Sequence, residues 1–155
     1  PLAKRYIKVP QSLLGIAFSF NILIVGIELQ EKISLEVLLL FIANFFWILA
    51  YDTQYALNDI KDDLKLGINS SAIFLGTKVN LFIFIFQFSF IFFIWLTMAI
   101  SFNDDLYMYF LILSLCFFIF QSIMTKNGLI KKKHLFHLNP IVGFIILVAI
   151  ITQKI

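Results

Sequence analysis

The chain has 155 residues, of which 61% are hydrophobic and only 14% charged, with a net charge of +3 and a mean hydropathy of +0.98. Soluble globular domains carry roughly a quarter of their residues as charges to cover the outside, so this composition excludes a soluble domain and points to an integral membrane protein. The lone cysteine, Cys116, excludes an internal disulfide and reads as a small packing residue within an apolar run.

In chain order, "PLAKRYIKVPQ" has no initiator methionine and lacks the pattern of a signal peptide, so it reads as cut from something longer. Five apolar runs follow, at about residues 12–27, 34–51, 80–102, 106–124 and 139–152. A helix needs ~20 residues to cross the hydrocarbon, and the first and last runs are short against that requirement. Barrel strands would alternate in segments of about ten residues. These runs are continuous, which predicts an all-α, polytopic transmembrane helix bundle of about five membrane helices, with residues 1–155 forming a single transmembrane domain. The abundance of phenylalanine, twenty residues, reads as packing and lipid contact.

Basic residues set the expected topology. Lys4, Arg5 and Lys8 precede the first run; Lys61, Lys65 and Lys78 follow the second; Lys126, Lys131, Lys132 and Lys133 follow the fourth. Only Lys32 and Lys154 fall on the other side, a split of ten against two that puts the segment from 52 to 78 in the cytoplasm. The "KKKH" cluster reads as a topology anchor, with a phospholipid or nucleic-acid patch as the alternative. No nucleic-acid partner is expected. His134 and His137 have a spacing that metal sites use, yet no cysteine or acidic partner lies near them, which favours interfacial loop residues.

The stretch "YDTQYALNDIKDDLKLGINSS", residues 51–71, packs Asp52, Asp59, Asp62 and Asp63 between two lipid-like segments. If residues 59–63 are helical, Asp59 and Asp63 share a face with Asp62 close by, and like charges at that spacing repel unless a cation is bound. Oxygen ligands without cysteine or histidine suit Mg²⁺, which takes one or two carboxylates plus waters and substrate phosphates. The alternative is a solvated acidic loop balanced by Lys61 and Lys65.

"YDTQYALNDIKDDLKLGINSSAIFLG" resembles the second signature of the UbiA family of membrane prenyltransferases, in the branch that prenylates 4-hydroxybenzoate for ubiquinone synthesis. The likeness continues in "KRYIKVPQSLLGIAFSF", "FIANFFWILAYDT" and, more faintly, "HLNPIVGFIIL", and it matches the C-terminal half of the family pattern only. It implies part of a nine-helix fold around a cavity open to lipid, with two facing aspartate-rich motifs that each hold Mg²⁺ on a polyprenyl diphosphate. Asp59 and Asp63 would then be the DxxxD pair of the second motif. Asp59, Asp63 and Lys4 are the implied catalytic residues, and Asp59, Asp63 and Asp62 the implied metal ligands. Arg5 would hold the carboxylate of the aromatic acid, unless it is only a topology-setting cation. Asp52, Asn44, Lys61, Lys65 and Ser70 are the further implied substrate contacts. Relatives often read Gly-x-Lys-Ser where this chain has Gly67, Ile68, Asn69 and Ser70, leaving Lys61 or Lys65 to replace the lost lysine.

The implied partners are polyprenyl diphosphate, 4-hydroxybenzoate, the lipid bilayer and a separate N-terminal half that carries the first, NDxxDxxxD-type motif. No such motif exists in these residues, so the 155 residues alone are not expected to catalyse. The competing readings are a UbiA-type enzyme for another ring, of haem, naphthoate or tocopherol type, and a non-catalytic membrane fragment. The resemblance implies a bacterial inner membrane rather than a mitochondrial one. A cysteine placed at Asn69 should react with an impermeant maleimide from the cytoplasmic side only; reaction only from the opposite side would overturn the topology.

Overall fold

The structure is a computed structural model that describes residues 3–126 and 136–153. The described residues form seven α-helices: α1 (Ala3–Tyr6), α2 (Gln11–Gln30), α3 (Leu35–Leu66), α4 (Ser71–Leu75), α5 (Val79–Ser101), α6 (Tyr107–Lys126) and α7 (Asn139–Thr152). Helices α2, α3, α5 and α6 are long and apolar enough to cross a membrane, with α4 and α5 together forming one such span. Helix α7, with 14 residues, is about 21 Å long and falls short of the ~30 Å hydrocarbon thickness. Four of the five apolar runs are therefore full spans and the fifth is a shorter apolar helix with the bounds the sequence predicts. The chain is an integral membrane protein. Lys131, Lys132, Lys133 and His134 lie outside the described residues.

The main departure from expectation is α3. The second apolar run ends at Tyr51, but the helix continues to Leu66, so the acidic segment is helix for most of its length. At 32 residues it measures about 48 Å, well beyond the hydrocarbon thickness. Ala56 and Leu57 explain the extension: both are buried, in a cluster with Ala72 of α4 and with Val79 and Ile83 of α5. The helix stops where Gly67 takes a left-handed conformation (φ 63°), its N–H reaching back to the carbonyls of Asp63 and Leu64.

Helix α3 packs most extensively against α5 and α2. A second cluster joins α3, α5, α6 and α7 through Ala43, Phe90, Ile94, Phe118, Val142 and Ile146. Aromatic rings fill this core in pairs, such as Trp47 with Phe90 at 4.6 Å. Cys116 is exposed on α6, contrary to its expected packing role.

Between α2 and α3 the contact is made by small residues. Gly15, Ser19 and Gly26 are buried along one stripe of α2, which lets the two backbones approach closely. A Cβ at Gly26 would stand 2.5 Å from Val37 Cγ1, and one at Gly15 would stand 2.9 Å from Phe45 Cδ2. Gly26→Leu should therefore destabilise the detergent-solubilised bundle by about 1–3 kcal/mol. Gly143→Ala, at a position where an added Cβ meets nothing within 4 Å, should leave it unchanged. Equal unfolding midpoints for the two variants would refute the close α2–α3 contact.

Candidate functional site

Asp52, Asp59 and Asp63 are spaced by seven and four residues, and on a helix of 3.6 residues per turn they return to within about 40° of one another. The long α3 therefore turns all three carboxylates to one side. Asp62 lies about 80° from Asp52 around the same axis. It is 75% exposed and pairs with Lys65 Nζ at 3.3 Å. Of the four aspartates, Asp62 is the one the structure turns to solvent.

Asp63 is only 4% exposed. Its Oδ1 accepts from Lys4 Nζ at 3.4 Å, a contact longer than the usual charged hydrogen bond. Its Oδ2 is buried and finds no hydrogen-bond partner among the described residues. Lys4 also lies within electrostatic reach of Asp52, as does Asp59. Lys4 thus lies against Asp63 at the end of α3 and within reach of Asp52, eleven residues or about 16 Å back along the same face, with Asp59 between them.

The turn after α3 ties this arrangement together. Asn69 N–H donates to the Lys4 carbonyl at 2.7 Å, so α1 is anchored by its backbone as well as its ammonium. Ser71 N–H donates to Gln11 Oε1 at 2.8 Å, and the Ser71 and Thr53 hydroxyls lie 2.8 Å apart. Ser70 is fully buried, and its Oγ accepts from Ile73 N–H as the cap of α4. Its hydroxyl thus serves a local cap rather than facing the carboxylates. Of "GINSS", the glycine ends α3, the asparagine and Ser71 fasten the turn to its neighbours, and Ser70 caps α4.

A cavity of about 330 Å³ opens beside the cluster, bordered by Lys4, Pro10, Gln11, Leu14 and Asp52 among others. A second, of about 260 Å³ and mostly apolar, lies further along the bundle between Ile22, Leu40, Trp47, Phe90 and Ile94. Asn44 borders the second cavity and donates to Ser19 Oγ at 3.1 Å. It stands eight residues before Asp52, about 12 Å along the helix axis, and is not part of the acidic cluster.

The remaining expected contacts are spread around the site. Arg5 is exposed on α1, and Lys61 and Lys65 are exposed on sides of α3 well away from Asp52. Lys4 is the cation brought to the carboxylates. Gln11 and Thr53 escaped the sequence reading, although a glutamine opening an apolar run is itself a signal, because a buried amide must find partners.

Among the described residues no three His, Cys, Asp or Glu side chains are grouped closely enough to hold an ion. A three-aspartate ligand set of Asp59, Asp62 and Asp63 is therefore not assembled. The unpartnered buried oxygen of Asp63, with Asp59 on the same face, does fit an ion that takes two carboxylates and completes its shell with water and phosphate. Of the two histidines read as interfacial loop residues, His137 is exposed and His134 lies outside the described residues.

The sequence model of the UbiA prenyltransferase family matches residues 1–139. A 4-hydroxybenzoate octaprenyltransferase of Francisella tularensis subsp. mediasiatica is 36% identical over the whole chain, which covers 55% of that protein. One of Methylobacillus flagellatus is 50% identical over 76 residues, 49% of this chain and 26% of that protein. A solved structure, the apo form of a UbiA homologue from Aeropyrum pernix K1, superposes with a TM-score of 0.76 at 25% identity, over all of this chain and 59% of its own. This chain spans about half the length of the curated relatives that it matches end to end. With the signature helix, its turn and the bundle all in agreement, the chain belongs to the UbiA prenyltransferase family.

Proposed function

We propose that this chain supplies the second-motif half of a Mg²⁺-dependent prenyltransferase, which moves a polyprenyl group from polyprenyl diphosphate to the ring of 4-hydroxybenzoate in ubiquinone biosynthesis. The observation that carries this reading is the buried Asp63 carboxylate, with one oxygen on Lys4 and the other unpartnered, on a helix face shared with Asp52 and Asp59. The end-to-end relatives named 4-hydroxybenzoate octaprenyltransferase support the substrate pair.

Each residue has a role that its position permits. Asp59 and Asp63 would hold Mg²⁺ together with the diphosphate, and the bound ion would neutralise charge on the leaving group. Lys4, partly exposed beside Asp63, would meet diphosphate oxygens. Asp52 borders the 330 Å³ cavity, where the aromatic acceptor would lie, and Arg5, exposed on α1, would take its carboxylate. A carboxylate of the cluster, Asp59 by preference, accepts the phenol proton as the ring attacks. The mostly apolar 260 Å³ cavity would take the prenyl tail, and its walls would keep water from the allylic cation. The remaining metal ligands come from a first motif outside these residues, and the orientation that suits the substrates puts the acidic end on the cytoplasmic side of a bacterial inner membrane.

In a complete enzyme containing this half, Asp59→Ala and Asp63→Ala should each lower prenyl transfer at least about a hundredfold without loss of membrane insertion. Asp62→Ala should change it little, because that carboxylate is exposed and paired only with Lys65. Near-normal turnover of the first two variants under saturating Mg²⁺ would refute the ligand assignment. Preference for another aromatic ring in a panel of acceptors would move the reaction to a different branch of the family.

A further inference from the structure

Gln54, Gln87, Gln121 and Asn139 come from α3, α5, α6 and α7, and each is no more than 3% exposed. Asn139 Nδ2 donates to Gln54 Oε1 at 2.6 Å. Gln54 Nε2 and Gln87 Nε2 both donate to Gln121 Oε1, at 3.2 and 2.8 Å. Four helices are thus joined by one run of side-chain amides inside an apolar bundle. Around the axis of α3, Gln54 lies about 160° from the mean direction of Asp52, Asp59 and Asp63. The amides hold the back of the helix whose front carries the acids.

We propose that this amide cluster is the positioning device of the acidic site, fixing the rotation of α3 about its own axis and so the direction of its three carboxylates. Apolar packing resists such rotation weakly in a membrane, because lipid and leucine are equally apolar and one contact replaces another. Amide hydrogen bonds are short and directional. Turning α3 by one residue, about 100°, carries Gln54 out of reach of both Gln121 and Asn139. A single buried asparagine sets register in coiled coils by the same logic. The carboxylates cannot perform this task, since they repel one another and their cation, Lys4, sits on a helix of four residues. The inference concerns the orientation of α3 and stands whether or not the cluster takes a metal.

The test is a cysteine scan of the full chain in lipid nanodiscs, in a Cys116→Ser background. Single cysteines replace Leu57, Asn58, Ile60, Lys61 and Asp62 in turn, and maleimide reaction rates are measured with Asp59 and Asp63 left untouched. With the amides intact, rates should be high at Asn58, Lys61 and Asp62, which are exposed, and low at Leu57 and Ile60, which are not. Gln54→Leu should reduce the contrast between these two groups by about tenfold, as expected when a buried hydrogen bond is lost. Gln54→Asn should blur the pattern as well, because its amide stops one methylene short. Adding Asn139→Gln to Gln54→Asn restores the reach towards α7 and should restore the pattern, which a purely packing role would not predict. If Gln54→Leu does not insert, the exchanged pair decides. An unchanged pattern in Gln54→Asn, or a blurred one that the exchange fails to restore, would overturn the proposal.

Discussion

Asp63 sits nearly buried at the edge of a bundle built for hydrocarbon, and an ionised carboxylate in such a place must be compensated or it neutralises. Lys4 meets one oxygen of that carboxylate at 3.4 Å and so helps to fasten α1 against the end of α3. The peptide N–H of Asn69 holds the Lys4 carbonyl from the other side, so ammonium and backbone are fastened to two points of the same turn. Ser71, bonded to Gln11 and Thr53, extends the fastening to the start of α2 and the shaft of α3. The polar end of the molecule is organised around one carboxylate, and the oxygen left over is where a ligand has most to gain.

Two further features decide what such a ligand would meet. The close approach of α2 and α3 through Gly15, Ser19 and Gly26 brings the face of α2 that contains Gln11 near Asp52, and the first cavity opens between them. Further along the same pair of helices the walls become apolar, with Trp47 and Phe90 in contact. A molecule with a charged head and a hydrocarbon tail matches that succession from carboxylates to rings. Asn44 stands in the apolar part, bonded to Ser19, so its amide serves the α2–α3 contact.

The apolar runs were legible because hydrocarbon demands continuous hydrophobicity, and α5, α6 and α7 begin and end within two residues of the expected bounds. The extent of α3 was not. Hydropathy falls at Asp52, but helix formation depends on packing as well, and Ala56 and Leu57 still have α4 and α5 to pack against. The signature was readable as a unit, while the division of labour within it was not. The spacing of seven and four that unites Asp52, Asp59 and Asp63, and leaves Asp62 aside, follows only once one unbroken helix spans them. The serines of "GINSS" illustrate the remaining gap. A serine reads equally well as a ligand or a cap, and Ser70 proves to cap α4.

The two polar groups on α3 differ in kind, and the difference follows from the side of the helix each occupies. At the protruding end the groups are charged, and Asp62 and Lys65 are bathed in solvent while Asp63 borrows a counter-charge. On the opposite side, at Gln54, which is buried against α6 and α7, the side chains are neutral amides. An ion pair there would carry a desolvation penalty that its own attraction barely offsets, whereas amides need only satisfy one another. Neutral groups can therefore serve as fixed structure inside the bundle without drawing in ions or water. Charged groups can be left incompletely satisfied only near the surface, where a diffusing ligand reaches them. A helix long enough to leave the membrane joins both environments, and the extra length of α3 beyond Tyr51 lets one rigid element carry a dry anchor on its back and a chemically unsaturated carboxylate on its front.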